Sequence, residues 1–151
     1  MESVVLDQLR QAQLSLAVAE SVTGGMVGAR LTAVPGASSV FKGSLVTYAS
    51  AAKFALLDVP EGPVVSAECA QAMALGACRK FDADVGLATT GVAGPDEQEG
   101  QAVGTVFLGL AINGSAEARR VQLPGRRDTI RQLAVISLLN LLRLRLNQSI
   151  T

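Results

Sequence analysis

The sequence predicts an α/β layered domain with a mixed β-sheet, and three observations lead there. Short apolar strand-like runs alternate with helical stretches over the first 91 residues. Two consecutive strand-like runs then flank Asn113-Gly114, a dipeptide whose left-handed backbone preference makes a tight hairpin. A long leucine-rich helical segment closes the chain. Strands separated by helices pair in parallel, a hairpin pairs antiparallel, and the combination gives a mixed sheet. At 151 residues the chain is one domain, 1–151, large enough to bury a proper core.

The elements follow in order. ESVVLDQLRQA (2–12) has helical spacing, and LSLAVAE (14–20) is a short buried strand. A helix runs from Thr23 to about Ala33 and ends at the Pro35-Gly36 turn. KGSLVTYA (42–49) is a strand, followed by a short helix at 50–57 and a loop carrying Pro60, Gly62 and Pro63. Ser66 fits the N-cap of an alanine-rich helix, 67–81, whose alanines at 70, 72, 74 and 77 suit close packing. ADVGLATTG (83–91) is a buried strand and 92–102 a polar loop. Strands at 103–112 and 115–123 form the hairpin, and Asp128 is expected to cap a last helix reaching about Leu146. That helix is apolar almost all round, so it must be buried on two sides or packed against another subunit; a twofold homodimer is expected.

Composition excludes several kinds of function. Apolar residues make up 49% and charged residues 17%, which excludes a disordered chain. No apolar run is long enough for a membrane span, and the N-terminus lacks the basic segment of a secretory signal, so a cytoplasmic protein without a membrane partner is expected. There is no histidine, which removes histidine-based triads and nearly every catalytic zinc site. The two cysteines, Cys69 and Cys78, lack further ligands and read as small core residues; neither a metal nor a cofactor is expected. Net charge is zero and aromatic residues are few, so no nucleic-acid partner is expected. The charge is uneven, however: from Gly114 onward seven arginines face only Glu117 and Asp128. They belong either to a solvated basic helix or to a phosphate site.

In a largely parallel sheet, ligands bind beyond the carboxyl ends of the strands. Three such ends are unusual here. Ala19-Glu20-Ser21-Val22-Thr23-Gly24-Gly25 is a strand, a tight turn and a helix start, offering a hydroxyl and free N–H groups, or else simply a capped helix. Thr47-Tyr48-Ala49-Ser50-Ala51-Ala52-Lys53 brings the only tyrosine and one of three lysines to a helix start, where the dipole would lower the lysine pKa toward that of a general base; the alternative is a solvated lysine. Ala88-Thr89-Thr90-Gly91-Val92-Ala93-Gly94-Pro95 is a loop of small residues and hydroxyls suited to phosphate or ribose, or an ordinary exit from a crowded strand. A hydrolase built from these groups would use serine as nucleophile and lysine as base. Glu20 should point away from Ser21 and serve as a structural acceptor.

At these residues the chain closely resembles the CinA C-terminal domain family, the nicotinamide mononucleotide amidohydrolases. The segments that carry the resemblance are AESVTGG (19–25), VPGASSVFKGSLVTYASAAKFALLDV (34–59), VSAECAQAMALGA (65–77), TTGVAGP (89–95), VGTV (103–106) and IRQLAVISLL (130–139). The resemblance implies a three-layer α/β/α fold, frequent dimerisation and hydrolysis of the carboxamide of nicotinamide mononucleotide, a small-molecule nucleotide, to nicotinic acid mononucleotide and ammonia. It places the nucleophile on Ser21, the base on Lys53 and an orienting or relaying hydroxyl on Tyr48. Backbone N–H groups of Thr23, Gly24 and Gly25 would meet the oxyanion. Thr90, Gly91 and Gly94 would line the nucleotide, and Arg127 or Arg131 would reach its phosphate or a neighbouring subunit. The chain departs from the family pattern in two places. DEQEGQA (96–102) replaces a glycine-rich stretch ending in lysine-proline, adding charge that would repel a phosphate, and Arg126 stands where the family has an acid. These departures leave open a non-catalytic nucleotide- or partner-binding module, or an amidase for another pyridine amide.

Overall fold

The computed structural model describes residues 1–149. Along the chain lie α1 (Glu2–Ala12), β1 (Leu16–Glu20), α2 (Met26–Thr32), a 3-10 turn at Ala37–Ser39, β2 (Phe41–Val46), α3 (Ser50–Leu57), α4 (Ala67–Phe81), β3 (Val85–Gly91), β4 (Thr105–Ile112), β5 (Ser115–Gln122) and α5 (Arg127–Gln148). The sheet order is β2-β1-β3-β4-β5. β1 pairs in parallel with both β2 and β3, while β3–β4 and β4–β5 are antiparallel. This is the mixed sheet expected.

Alternation along the central strands sorts the core into two unequal halves. Leu16 and Val18 of β1, Val85 and Leu87 of β3, and Val106, Leu108 and Leu110 of β4 face the layer built from α1, α2 and α5. The intervening positions are small: Ala17, Ala19, Ala88 and Ala111 meet α4, with α3 packed beside it. On this side the backbones approach closely. A Cβ on Gly86 would lie 2.1 Å from the Ala74 carbonyl oxygen, and one on Gly109 would lie 2.2 Å from that of Ala70. The alanines of α4 are thus matched to glycines in the strands they cover. Three layers result, helices–sheet–helices.

Local signals were accurate where they rest on one residue's chemistry. The Ser66 hydroxyl accepts the Cys69 N–H at 3.1 Å and starts α4, and Asn113 and Gly114 take φ of 51° and 83° in the β4–β5 turn. Two expectations are corrected, and one left between alternatives is resolved. α2 begins at Met26, not Thr23, because residues 22–25 form a turn. Arg126, not Asp128, occupies the N-cap of α5 and makes no side-chain cap; Asp128 lies inside the first turn, where its charge suits the dipole. The leucines of α5 are buried within a single chain: Leu138, Leu139, Leu142 and Leu146 lie in the core shared with α1 and the sheet, leaving only Ile136 and Leu144 well exposed. Of the two ways to bury this helix, the fold uses the first, burial on two sides within one chain.

Candidate active site

β1 sends the chain to β2 on one side and has β3 on the other, so the carboxyl ends of β1 and β3 flank the point where the strand order switches. A cavity of about 320 Å³ opens there. Ser21, Val22, Tyr48, Ser50, Lys53, Thr90, Gly91, Gly94 and Arg127 all line it, so groups from three strand ends and the start of α5 converge.

The Ser21 turn is built by Glu20. Fully buried at the last position of β1, its carboxylate accepts the Gly25 (3.1 Å) and Val27 (2.9 Å) N–H groups and the Thr23 hydroxyl (2.7 Å) on Oε1. On Oε2 it accepts the Gly28 N–H (3.0 Å) and the Ser44 hydroxyl (2.5 Å). One acid thereby occupies the positive end of α2 and ties it to β2. Ser21 itself donates its N–H to the Thr89 carbonyl at 3.1 Å and is nearly buried. Among the described residues its hydroxyl has no partner, and the N–H groups of Val22 and Thr23 have no acceptor.

Glu20 therefore changes the assignment of the glycines. The N–H of Gly24 goes to the Ser21 carbonyl, and that of Gly25 goes to Glu20. Thr23, Gly24 and Gly25 do not line the cavity. Arg131 does not line it either; its guanidinium donates to the carbonyls of Val22 (3.0 Å) and Thr23 (3.3 Å), pinning the turn from beneath.

Lys53 is 1% exposed, the largest fully buried side chain in the protein. Its Nζ donates to the Thr47 carbonyl at 2.8 Å and the Tyr48 carbonyl at 3.1 Å. Burial lowers its pKa from the ordinary lysine value, against the opposing pull of Cys69 and Glu99. The direction is the one anticipated, but the cause is desolvation rather than a helix dipole. Burial also pushes the Cys69 thiol up to about 11, so it is uncharged at neutral pH.

Tyr48 does not have the expected geometry. Its ring is exposed, its hydroxyl accepts from Arg127 Nη2 at 2.9 Å, and what reaches Lys53 is its carbonyl. Arg127 also donates to the Gly94 carbonyl at 2.5 Å, bridging two rims of the cavity. The Thr90 hydroxyl is committed to the Val64 carbonyl at 2.6 Å. Residues missed in sequence also line the cavity: Val64, Val65, Asp96 and Gln98. Nothing in local sequence distinguishes Val64 and Val65, whereas Asp96 and Gln98 belong to the 96–102 segment that departs from the family pattern.

The family model for the CinA C-terminal domain matches residues 1–146. The chain belongs to this family. A CinA-like protein of Frankia casuarinae is 49% identical over 148 residues, covering 95% of this chain and 34% of that protein. One from Dictyoglomus thermophilum is 42% identical over 149 residues, covering 95% and 36%. The chain thus spans about a third of the length of these CinA-like relatives. Crystal structures of CinA superfamily proteins share the fold. One from Klebsiella pneumoniae superposes with a TM-score of 0.94 at 29% identity, covering 97% of this chain and 96% of the other. One from Escherichia coli superposes at 0.91 with 34% identity, covering 95% and 87%. The CinA fold accounts for the three layers; the chemistry of the cavity has to be argued from its own groups.

Proposed function

We propose that this CinA domain hydrolyses the carboxamide of nicotinamide mononucleotide, with Ser21 as nucleophile and Lys53 as general base. The observation that carries the reading is the burial and hydrogen bonding of the Lys53 amine. Its two carbonyl acceptors match the two N–H bonds of a neutral amine, which leaves the lone pair for a third partner. Burial favours that neutral form, and the cavity wall that holds Lys53 also holds a serine hydroxyl with no partner of its own.

The reaction then balances without further groups. Lys53 Nζ takes the Ser21 hydroxyl proton as Oγ bonds to the amide carbon, and the carbonyl π electrons move to oxygen. The unclaimed N–H of Val22, which lines the cavity, is the donor available to that oxyanion, one such donor being worth about 3 kcal/mol. The oxyanion collapses, the C–N bond breaks, and ammonia leaves with the proton returned by Lys53. Water, deprotonated by the same amine, then cleaves the acyl ester and restores Ser21. Arg127 keeps N–H bonds to spare for a phosphate.

Incubating wild type and Ser21→Ala with nicotinamide mononucleotide and measuring ammonia tests the reading. Release by the wild type and a loss of at least about 10³-fold in the variant are expected. Equal release by both removes the role of Ser21. No release from either overturns the amidase reading in favour of a nucleotide-binding module, for which the negative charge of Asp96 in the cavity wall would be the first feature to examine.

A further inference from the structure

The acidic loop that departs from the family pattern is part of the cavity wall. Gln98 and Gln101 pair across a two-residue turn in which Glu99 and Gly100 take φ of 53° and 71°. Glycine adopts that backbone freely, whereas glutamate there costs about 1 kcal/mol. The turn delivers the Glu99 carboxylate to the 64–65 segment. Both its oxygens accept the Val64 N–H, at 2.9 and 3.1 Å, and one accepts the Val65 N–H at 3.2 Å. Val64 in turn receives the Thr90 hydroxyl on its carbonyl, and Val64, Val65, Thr90 and Lys53 all line the cavity.

We propose that Glu99 is a positioning residue of this site: its carboxylate pins the Val64–Val65 wall and holds one negative charge toward the Lys53 amine. The inference rests on the amidohydrolase reading for its catalytic meaning. The charges that face Lys53 are Cys69, from α4, and Glu99, from the 96–101 loop. With the Cys69 thiol uncharged at neutral pH, Glu99 supplies the only full charge of the two. Of the acids in the unusual loop, Glu99 is directed to backbone N–H groups and the base, while Asp96 lines the cavity. Glu99 favours the protonated amine, so burial and Glu99 act on Lys53 in opposite directions.

The test is the titration of Lys53 followed by NMR of the lysine Cε carbons, assigned through the chain's three lysines, Lys42, Lys53 and Lys80. In Glu99→Gln, which keeps an acceptor oxygen but removes the charge, the Lys53 midpoint is expected to move to lower pH while Lys42 and Lys80 stay in place. Glu97→Gln, in the same loop, is expected to move none of them. Glu99→Asp, which withdraws the charge by one methylene, serves where Glu99→Gln does not fold, with the same direction expected. In parallel, the acid limb of the pH profile of ammonia release from nicotinamide mononucleotide should move the same way. A Lys53 midpoint unchanged in Glu99→Gln, or shifted equally by Glu97→Gln, overturns the proposal. The NMR reading needs no turnover, so an inactive wild type with a Glu99-dependent Lys53 would defeat the amidase reading alone. An active wild type with an unshifted Lys53 would defeat only the role of Glu99.

Discussion

Replacing Glu20 with glutamine should destabilise the protein by about 3 kcal/mol, although the change is one atom. The carboxylate serves five donors, three on Oε1 and two on Oε2. Glutamine keeps one oxygen. Turned to the crowded side, that oxygen retains Thr23, Gly25 and Val27 and sets the amide NH2 against Ser44 and Gly28. The Ser44 hydroxyl can rotate to accept; the Gly28 N–H cannot. One orphaned buried N–H costs about 1–3 kcal/mol. The three surviving bonds lose their charge assistance, each changing from about 1.5–3 to about 0.5–1.5 kcal/mol, offset by no longer burying an ion. Urea unfolding measures the result: with a slope of roughly 1–3 kcal/mol per molar, the midpoint should fall by more than 1 M at unchanged slope. Glu97→Gln, at an exposed loop position, should stay within about 0.5 kcal/mol. A change in Glu20→Gln as small as that control would refute the argument that one buried acid organises the turn. A stable Glu20→Gln that retained full ammonia release would also show that the Ser21 turn holds its shape without it.

Two further outcomes follow from the site. Burial lowers the Lys53 pKa in the folded chain below its ordinary 10.5, so between those values the unfolded chain holds the extra proton and stability rises with pH. The stability of wild type relative to Lys53→Met should therefore increase from neutral pH to 10.5, by denaturant unfolding at each pH, and a flat or falling difference refutes it; ammonia release should be abolished in the variant throughout. Tyr48→Phe removes only the hydroxyl that Arg127 reaches and leaves the carbonyl that holds Lys53. It should change kcat by less than about threefold while raising KM, and a loss comparable to Lys53→Met would restore the tyrosine as a proton relay.

Elements were legible in sequence where a single residue's chemistry decides a boundary. α1, α3 and α4 run over the predicted spans, and the Asn113-Gly114 turn lies between β4 and β5. Boundaries decided by tertiary partners were not legible. α2 starts late because Glu20 takes the N–H groups of Gly25, Val27 and Gly28 and leaves residues 22–25 as a turn. α5 could be called apolar all round, but whether its second side meets α1 or another subunit depends on long-range packing. The same division holds in the cavity. The sequence motifs carry Ser21 and Lys53 there, and Glu20 is the structural acceptor expected from strand alternation. Thr23, Gly24, Gly25 and Arg131 lie outside the cavity lining: the Gly24 and Gly25 N–H groups and the Arg131 guanidinium, which look free in one dimension, are consumed in three, and the Thr23 N–H has no acceptor among the described residues. Glu99 was read only as a charge that repels phosphate, because the amides it binds are 34 and 35 residues away.

That pattern suggests how a site can be located by hydrogen-bond accounting rather than by motif. Polar groups at the ends of β1 and β3 are numerous, and buried polar groups must be paired. Glu20 absorbs the donors of α2, Thr89 accepts from Ser21, Thr90 is taken by Val64, Arg131 by the turn carbonyls, and the Val64 and Val65 N–H groups by Glu99. Subtracting these leaves, among the described residues, the Ser21 and Ser50 hydroxyls and the Val22 N–H in the cavity wall, the buried Thr47 hydroxyl, and one amine whose own two N–H bonds are already placed. On the amidase reading Ser21 would be the nucleophile, the Val22 N–H an oxyanion donor and Lys53 the base, and no histidine would be needed: a lysine desolvated by its surroundings can accept a proton near neutral pH. Val22→Pro removes the unclaimed N–H in the cavity wall and leaves the Ser21 hydroxyl and the Lys53 amine chemically intact, although the ring restricts the Ser21 backbone. If the accounting is right, it should lower kcat by about 10²–10³-fold, provided circular dichroism shows the fold retained. Unchanged kcat in a folded Val22→Pro protein would mean that the oxyanion is held elsewhere.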